Sequence, residues 1–505
     1  MTRCRAAALL VAALLLAGLS LAPVAEPVPH HAAKSATAPL DLVYLDNGRP
    51  LRLRIEVELD GQPLEAYWDD TFRKLFADLD RDGNGFLSRD EAQRAPSALR
   101  LRQLSWGLFF ATPGPPLPWA ELDRRPADGQ VSLAEFADYY RRRGIGRVQV
   151  AVGRAPATDA LTDALLRGLD RDGDGRVSQA EWHAAADALA ALDRNDDELI
   201  SGDELVPGLN YPGAFGGTLL TPRAPDSPSS SLLDAFPVLR LPDEDNPDEV
   251  RRLSAPPDHT LVVRLGRRAE GVAAVEWIGH AADDAVVLDL GRTRWAMRSG
   301  ESRLTADFAS ACRLARERFA EADTDGDGTL DATEAGRASF APLRRLFHAA
   351  DRDGDGLVSA AEWSAYLDLQ ARLVEGQVVL TLLDHGRGLF ELLDADRDGV
   401  LSVRELRSAW DRLASSGCLR DGALDRSLLP RQLRGVVSRG RPLTGRAPPT
   451  RGPGWFRAMD RNGDGDVSRR EFLGSDEDFR RLDADGDGLI SAAEAGRAEA
   501  APKNP

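Results

Sequence analysis

Two hydrophobic rhythms divide the chain. Leu51, Leu53, Ile55, Val57 and Leu59 alternate with Arg52, Arg54, Glu56 and Glu58, and Asp60-Gly61 follows. A period of two with a turn dipeptide behind it predicts a half-buried strand and a tight turn. Similar strands are predicted at 148–152 and 378–383, while 261–265, 274–278, 286–290 and 294–297 form a strand-rich patch that predicts a small β domain over 259–305. The three outlying strands are placed to extend that patch and clamp the neighbouring modules. Elsewhere the period is helical. Phe308, Cys312, Ala315 and Phe319 recur at offsets of four, seven and eleven, one face of a helix, which predicts a buried thiol at Cys312 in preference to a bridge with the distant Cys418. Pro, Ser, Gly and acidic residues interrupt both rhythms at 213–258 and 441–454, which read as linkers.

Between the rhythmic segments lies a repeated twelve-residue pattern: Asp, any, Asp/Asn, any, Asp/Asn, Gly, any, aliphatic, Ser/Asp, any, any, Glu. Seven copies are complete and an eighth, from Asp193, has Glu198 in place of the glycine. Position 1 is Asp80, Asp170, Asp193, Asp323, Asp351, Asp394, Asp460 and Asp483. Position 3 is Asp82, Asp172, Asn195, Asp325, Asp353, Asp396, Asn462 and Asp485, and position 5 is Asn84, Asp174, Asp197, Asp327, Asp355, Asp398, Asp464 and Asp487. Position 7 is Phe86, Arg176, Leu199, Thr329, Leu357, Val400, Asp466 and Leu489. The pattern closes at Glu91, Glu181, Glu204, Glu334, Glu362, Glu405, Glu471 and Glu494.

This pattern resembles the EF-hand superfamily, and the chain as a whole resembles the secreted multi-EF-hand proteins of bacteria. The resemblance implies calcium as the bound ion. Calcium is a hard ion that takes six to eight oxygens, supplied by side chains at positions 1, 3 and 5, the carbonyl at 7, a water held by 9 and a bidentate Glu at 12. A single Asp-rich turn reads as a solvated loop bonding its own backbone; eight with an apolar residue at position 8 (Leu87, Val177, Ile200, Leu330, Val358, Leu401, Val467 and Ile490) do not. That residue is expected in a short antiparallel bridge between paired loops.

Loop starts 23 residues apart at 170/193 and 460/483, and 28 apart at 323/351, predict three pairs. Asp80 is expected to pair with a degenerate hand in which Asp123 falls one residue early, although Gly129, Val131, Ser132 and Glu135 are in place. Asp394 is expected to pair with a pseudo-hand counted from Gly417, with Leu424 at position 8 and Leu428 where Glu belongs. The fold class expected is therefore mainly α (α+β), with five EF-hand pairs, two containing a decayed hand, a small β-rich domain and strands before some pairs. The modules are 40–145, 146–212, 259–305, 306–375, 376–440 and 455–498.

A formal charge of −17 over 505 residues suits cations, since the acidic residues sit at fixed spacing in short loops. Arg3 and Arg5 before the apolar run 6–19, with small residues at Ser20, Ala22 and Ala25, predict an export signal over 1–25. Pro23 spoils the two cleavage sequences, which keeps an uncleaved membrane anchor as the alternative. The expected location is periplasmic, cell-surface or extracellular. Arg-rich runs such as 141–143 are too short to predict nucleic-acid binding. No Gly-x-Ser-x-Gly elbow, phosphate-cradling loop or His-Glu-x-x-His helix is present, and His259, His280 and His385 lack companions at ligand spacing. The expectation is a non-enzymatic protein in which calcium is structural, with a protein partner left open. A sensor, a low-affinity buffer and an enzyme in the β-rich region are the alternatives. With only Met1, Met297 and Met459, a Met-rich target groove is not expected.

Overall fold

The computed structural model describes residues 39–45, 50–110, 117–124, 126–154, 157–209, 239–240, 256–266, 271–274, 279–282, 285–300, 302–396, 398–440 and 452–500. The predicted export signal, most of 213–258 and the stretch 441–451 lie outside them. Among the described residues no helix is long and apolar enough to cross a membrane.

Leu51–Leu59 is the strand its alternation predicts, and Asp60 and Gly61, at φ +50° and +84°, turn it back onto Gln62–Pro63. Two left-handed residues match the twist of a hairpin, which explains the Asp-Gly sequence. The strands of 259–305, however, do not form a domain of their own. They are divided between two six-stranded sheets and pair there with strands from distant parts of the chain. The first sheet runs Leu239–Arg240, Leu40–Tyr44, Leu51–Leu59, His259–Leu265 and Gly271–Ala274, with Gln62–Pro63 beside Leu51–Leu59. The second runs Gly279–Ala282, Ala285–Asp289, Thr293–Gly300, Arg431–Arg439, Val378–Asp384 and Gln149–Arg154. Thus Leu239–Arg240 and Arg431–Arg439 are strands where a linker and the tail of a helical pair are expected. The outlying strands do extend the patch.

Among the described residues three strand pairs are parallel: Leu51–Leu59 with His259–Leu265, Thr293–Gly300 with Arg431–Arg439, and Val378–Asp384 with Gln149–Arg154. Parallel neighbours require long crossovers, and the helical modules lie within these crossovers, except for the C-terminal pair, which follows Arg431–Arg439, the last strand of the two sheets. Leu53, Ile55, Leu261 and Val263 of the first sheet share one apolar core with Leu288, Trp295, Met297, Leu433 and Val437 of the second. Tyr44 Oη donates to the Leu290 carbonyl at 3.0 Å.

Three of the expected loop pairs form. Leu87 bridges Val131, Thr329–Leu330 pairs with Val358–Ser359, and Asp466–Ser468 pairs with Leu489–Ser491. The other two have exchanged partners. Leu199–Ser201 pairs with Val400–Ser402, placing Ile200 opposite Leu401, and Val177–Ser178 pairs with Ala423–Leu424, placing Val177 opposite Leu424. The Asp193 hand therefore partners the Asp394 hand, and the Asp170 hand partners the pseudo-hand. The connecting sequence accounts for the difference. Between the Asp170 and Asp193 loops, helices Gln179–His183 and Ala185–Ala190 follow each other with only Ala184 between them. At about 1.5 Å per residue such a nearly continuous rod holds its two loops apart. Between the Asp460 and Asp483 loops, 472–475 carry no regular structure, and Ser475 caps a new helix, Asp476–Leu482. That break lets the chain double back.

Among the described residues the apolar interior falls into three clusters. One spans the two sheets and the hands at Asp80, Asp123, Asp323 and Asp351. A second joins Leu165, Trp182 and Ile200 to Phe390, Leu401 and Leu424. The third is confined to Phe456, Val467, Phe472, Phe479, Ile490 and Ala495. Cys312 lies in the first and Cys418 in the second, so both thiols are free, and burial pushes each up to about 11. The aromatics after the closing glutamates are core residues as expected: Trp182 Nε1 donates to the Leu406 carbonyl at 3.0 Å and Trp363 Nε1 to that of Ala315 at 3.3 Å.

Candidate metal centres

Each loop begins where a helix stops. In the Asp80 loop the Asp80 N–H still bonds the Phe76 carbonyl of the helix Leu64–Leu79, while its side chain turns inward to accept the Asn84 and Gly85 N–H groups at 3.1 and 2.9 Å. Gly85 sits at φ +84°, a conformation an L side chain resists. Ser88 at position 9 caps the exiting helix. Glu91, three residues on, completes a capping box, its Oε2 accepting the Ser88 N–H at 2.8 Å while Oε1 accepts the Arg81 N–H at 2.8 Å. One carboxylate thereby ties the loop's end to its beginning. The same tie recurs at Glu181, Glu204, Glu334, Glu362, Glu405, Glu471 and Glu494, each accepting the position-2 N–H at 2.5–3.0 Å.

This folding brings ligand oxygens together. Acidic atoms converge within 4.8 Å of one another in Asp80/Asp82/Glu91, Asp170/Asp172/Glu181, Asp323/Asp325/Glu334, Asp351/Asp353/Asp355 and Asp394/Asp396/Glu405. The Asp394 loop tests whether a cation suits such a site. Asp394 is 2% exposed, its Oδ1 has no hydrogen-bond partner, and Arg434 Nη2 stands 3.9 Å from its Oδ2. A buried carboxylate oxygen with nothing opposite it is costly, and a hard cation supplies what it lacks. Burial pushes Glu405 up to about 7 and Asp398 to about 6, and raises Asp394 well above the usual range. Asp464 is likewise pushed to about 7 by burial. In the Asp170 loop, by contrast, the Ser178 N–H holds Glu181 down at about 2. An oxygen-only donor set of carboxylates and carbonyls matches calcium in kind.

The irregular loops differ in instructive ways. Glu198 adopts φ +64° at the position glycine occupies elsewhere, and its N–H bonds Asp193 Oδ2 at 2.9 Å as the glycines do. The turn survives under strain. Glu198→Gly should therefore stabilise the metal-free protein by about 1 kcal/mol, read as a rise in urea midpoint; an unchanged or lower midpoint would show that the Glu198 contact with Arg470 at 3.4 Å outweighs the strain. The Asp123 loop carries one extra residue and still closes, Asp123 Oδ2 accepting the Gly129 N–H at 2.9 Å and Glu135 Oε1 the Arg124 N–H at 3.3 Å. The pseudo-hand has become a hairpin, Leu419–Arg420 against Ala423–Leu424, keeping only the bridge.

Other features carry no sequence signal. Arg94 of the Asp80 hand donates to the His348 carbonyl at 2.9 Å and to that of Asp351, and Arg352 Nη2 donates to the Ala77 carbonyl at 3.1 Å, so the Asp80 and Asp351 loops lie against each other. His385, 2% exposed, is 3.3 Å from Glu391, a companion that loop spacing did not reveal.

Segments 72–94, 315–334, 343–367, 387–409, 454–473 and 477–494 match the family model described as EF hand. Residues 149–188 match the one described as EF-hand domain pair. No curated protein and no solved structure matches the chain. EF-hand domains thus recur along this chain, and the acidic residues that cluster in their loops point to calcium binding.

Proposed function

We propose that this is an exported, non-enzymatic protein in which seven or eight EF-hand loops bind calcium to hold a structural or interaction scaffold together. The observation that carries the reading is the long-range pairing of hands. Ile200 opposite Leu401 and Val177 opposite Leu424 join segments more than two hundred residues apart, so an ion that rigidifies either loop also secures a remote chain connection. A loop whose calcium stands at about ten times its dissociation constant contributes about 1.4 kcal/mol. Several such loops supply a large share of the stability of a domain. An exported location would suit the same reading, since extracellular calcium suffices for weak structural sites.

Calorimetric titration with calcium chloride, followed by thermal melts in calcium and in chelator, tests it. Seven or eight weak sites with a large drop in melting temperature on chelation are expected. Tight sites whose filling exposes dye-binding apolar surface with little change in melting would favour a sensor instead. Absence of binding heat would overturn the calcium reading.

A further inference from the structure

The C-terminal pair, residues 454–500, has an apolar core of its own, and polar groups of its loops meet polar groups of the Asp193/Asp394 pair. Two arginines at position 11 of their loops are exchanged across the junction. Arg404, in the Asp394 loop, bonds the Asp466 carboxylate through Nε and reaches Asp487 Oδ2 through Nη1 at 3.0 Å. Arg470, in the Asp460 loop, bonds Asp196 Oδ1 at 2.6 Å and approaches Glu198. Arg407 donates to the Asp487 carbonyl, and Asn462 Nδ2 to the Asp197 carbonyl at 2.9 Å.

These contacts differ in what they ask of a metal ion. Asp466, at position 7, offers an ion its carbonyl, so its side chain is free to hold Arg404. Asn462 bonds through its amide nitrogen, which is no ligand. Asp487 is at position 5 and must give a side-chain oxygen. In the loops at Asp170, Asp323, Asp351, Asp394, Asp460 and Asp483, Oδ1 of the position-5 aspartate accepts the position-7 N–H, which makes Oδ2 the oxygen less committed to the loop. In Asp487 that second oxygen is the one Arg404 occupies.

We propose that calcium entering the Asp483 loop releases the C-terminal pair from the Asp193/Asp394 pair, because the ion and Arg404 compete for the carboxylate of Asp487. The inference rests on the calcium reading above. An ion in this loop also cancels two of the four negative charges of Asp483, Asp485, Asp487 and Glu494, weakening the attraction that holds the guanidinium groups of Arg404 and Arg407. Partly exposed ion pairs are individually weak, so the junction opens without unfolding either module.

Small-angle scattering of the full chain, with calorimetry on the same samples, tests the exchange. Calcium chloride should increase the maximum dimension of the wild-type protein. Glu494→Gln, which removes the closing ligand of the Asp483 loop, should lose one site and stay compact in saturating calcium. Arg404→Met should be extended even in chelator and should tighten one site by about tenfold. Equal dimensions for wild type and Glu494→Gln in saturating calcium, when calorimetry shows that they differ by one filled site, would overturn the release while leaving calcium binding intact. Unchanged affinities in Arg404→Met would do the same, and no binding heat in the wild type would overturn both.

Discussion

Leu401→Ala should destabilise the protein by about 3 kcal/mol and should strip amide protection from residues 199–201 as thoroughly as from 400–402. Leu401 is fully buried, so its truncation leaves a cavity in the cluster that also holds Ile200, Trp182 and Leu424. The two segments share one ladder, in which Ile200 and Leu401 face each other. Urea unfolding gives the energy, and hydrogen exchange read by mass spectrometry gives the location. Loss of protection confined to 394–429 would mean that the Asp394 hand pairs locally after all. A uniform loss that includes Asp466–Ser468 would mean that the third cluster is not an independent unit.

Acidification should act with opposite signs on the metal-free and calcium-loaded protein. Glu405 and Asp464, at about 7, and Asp398, at about 6, have folded-state values above those of an unfolded chain. The folded state therefore binds more protons than the unfolded state between roughly pH 7 and 4.5, and its stability rises as the pH falls through that window. In chelator this gain should be visible between pH 8 and pH 5 as a rise of several degrees in melting temperature. With calcium present the same protons compete for the same oxygens, so the melting temperature should fall instead. Glu181, held at about 2 by the Ser178 N–H, follows the opposite rule: its contribution persists above the unfolded value and is lost as the pH drops toward 2. A metal-free protein whose melting temperature falls steadily from pH 8 to 5 would show that the buried carboxylates are not strained.

The loops were legible because their chemistry is local. Twelve consecutive residues carry the ligands, the turn glycine, the bridge residue and the capping box, and these fold together at Asp80 through Glu91 as the spacing requires. The strand at Leu51–Leu59 was legible for the same reason. What could not be read was which local unit meets which. The offset of 23 residues is the same at 170/193 and 460/483, yet one connector is a rod and the other breaks at Gly474 and Ser475. The strand Arg431–Arg439 was hidden because its residues are buried on both faces over much of its length, with Val436, Val437 and Ser438 all enclosed, so period-two alternation is lost. The arginines that join modules sit at variable loop positions, where nothing in the twelve-residue pattern distinguishes a solvated side chain from a bridging one.

The exchanged pairing also fixes an order of events in biosynthesis. Ile200 leaves the ribosome about two hundred residues before Leu401, and Val177 still longer before Leu424. Contacts of such separation require the closure of long stretches of chain and form slowly. The Asp170 and Asp193 hands must therefore wait through most of synthesis with the apolar face that holds Trp182 and Leu205 uncovered. A nascent chain interrupted before Phe390 carries two hands whose partners never arrive, and it is this species, rather than the finished protein, that chaperones and proteases have to recognise.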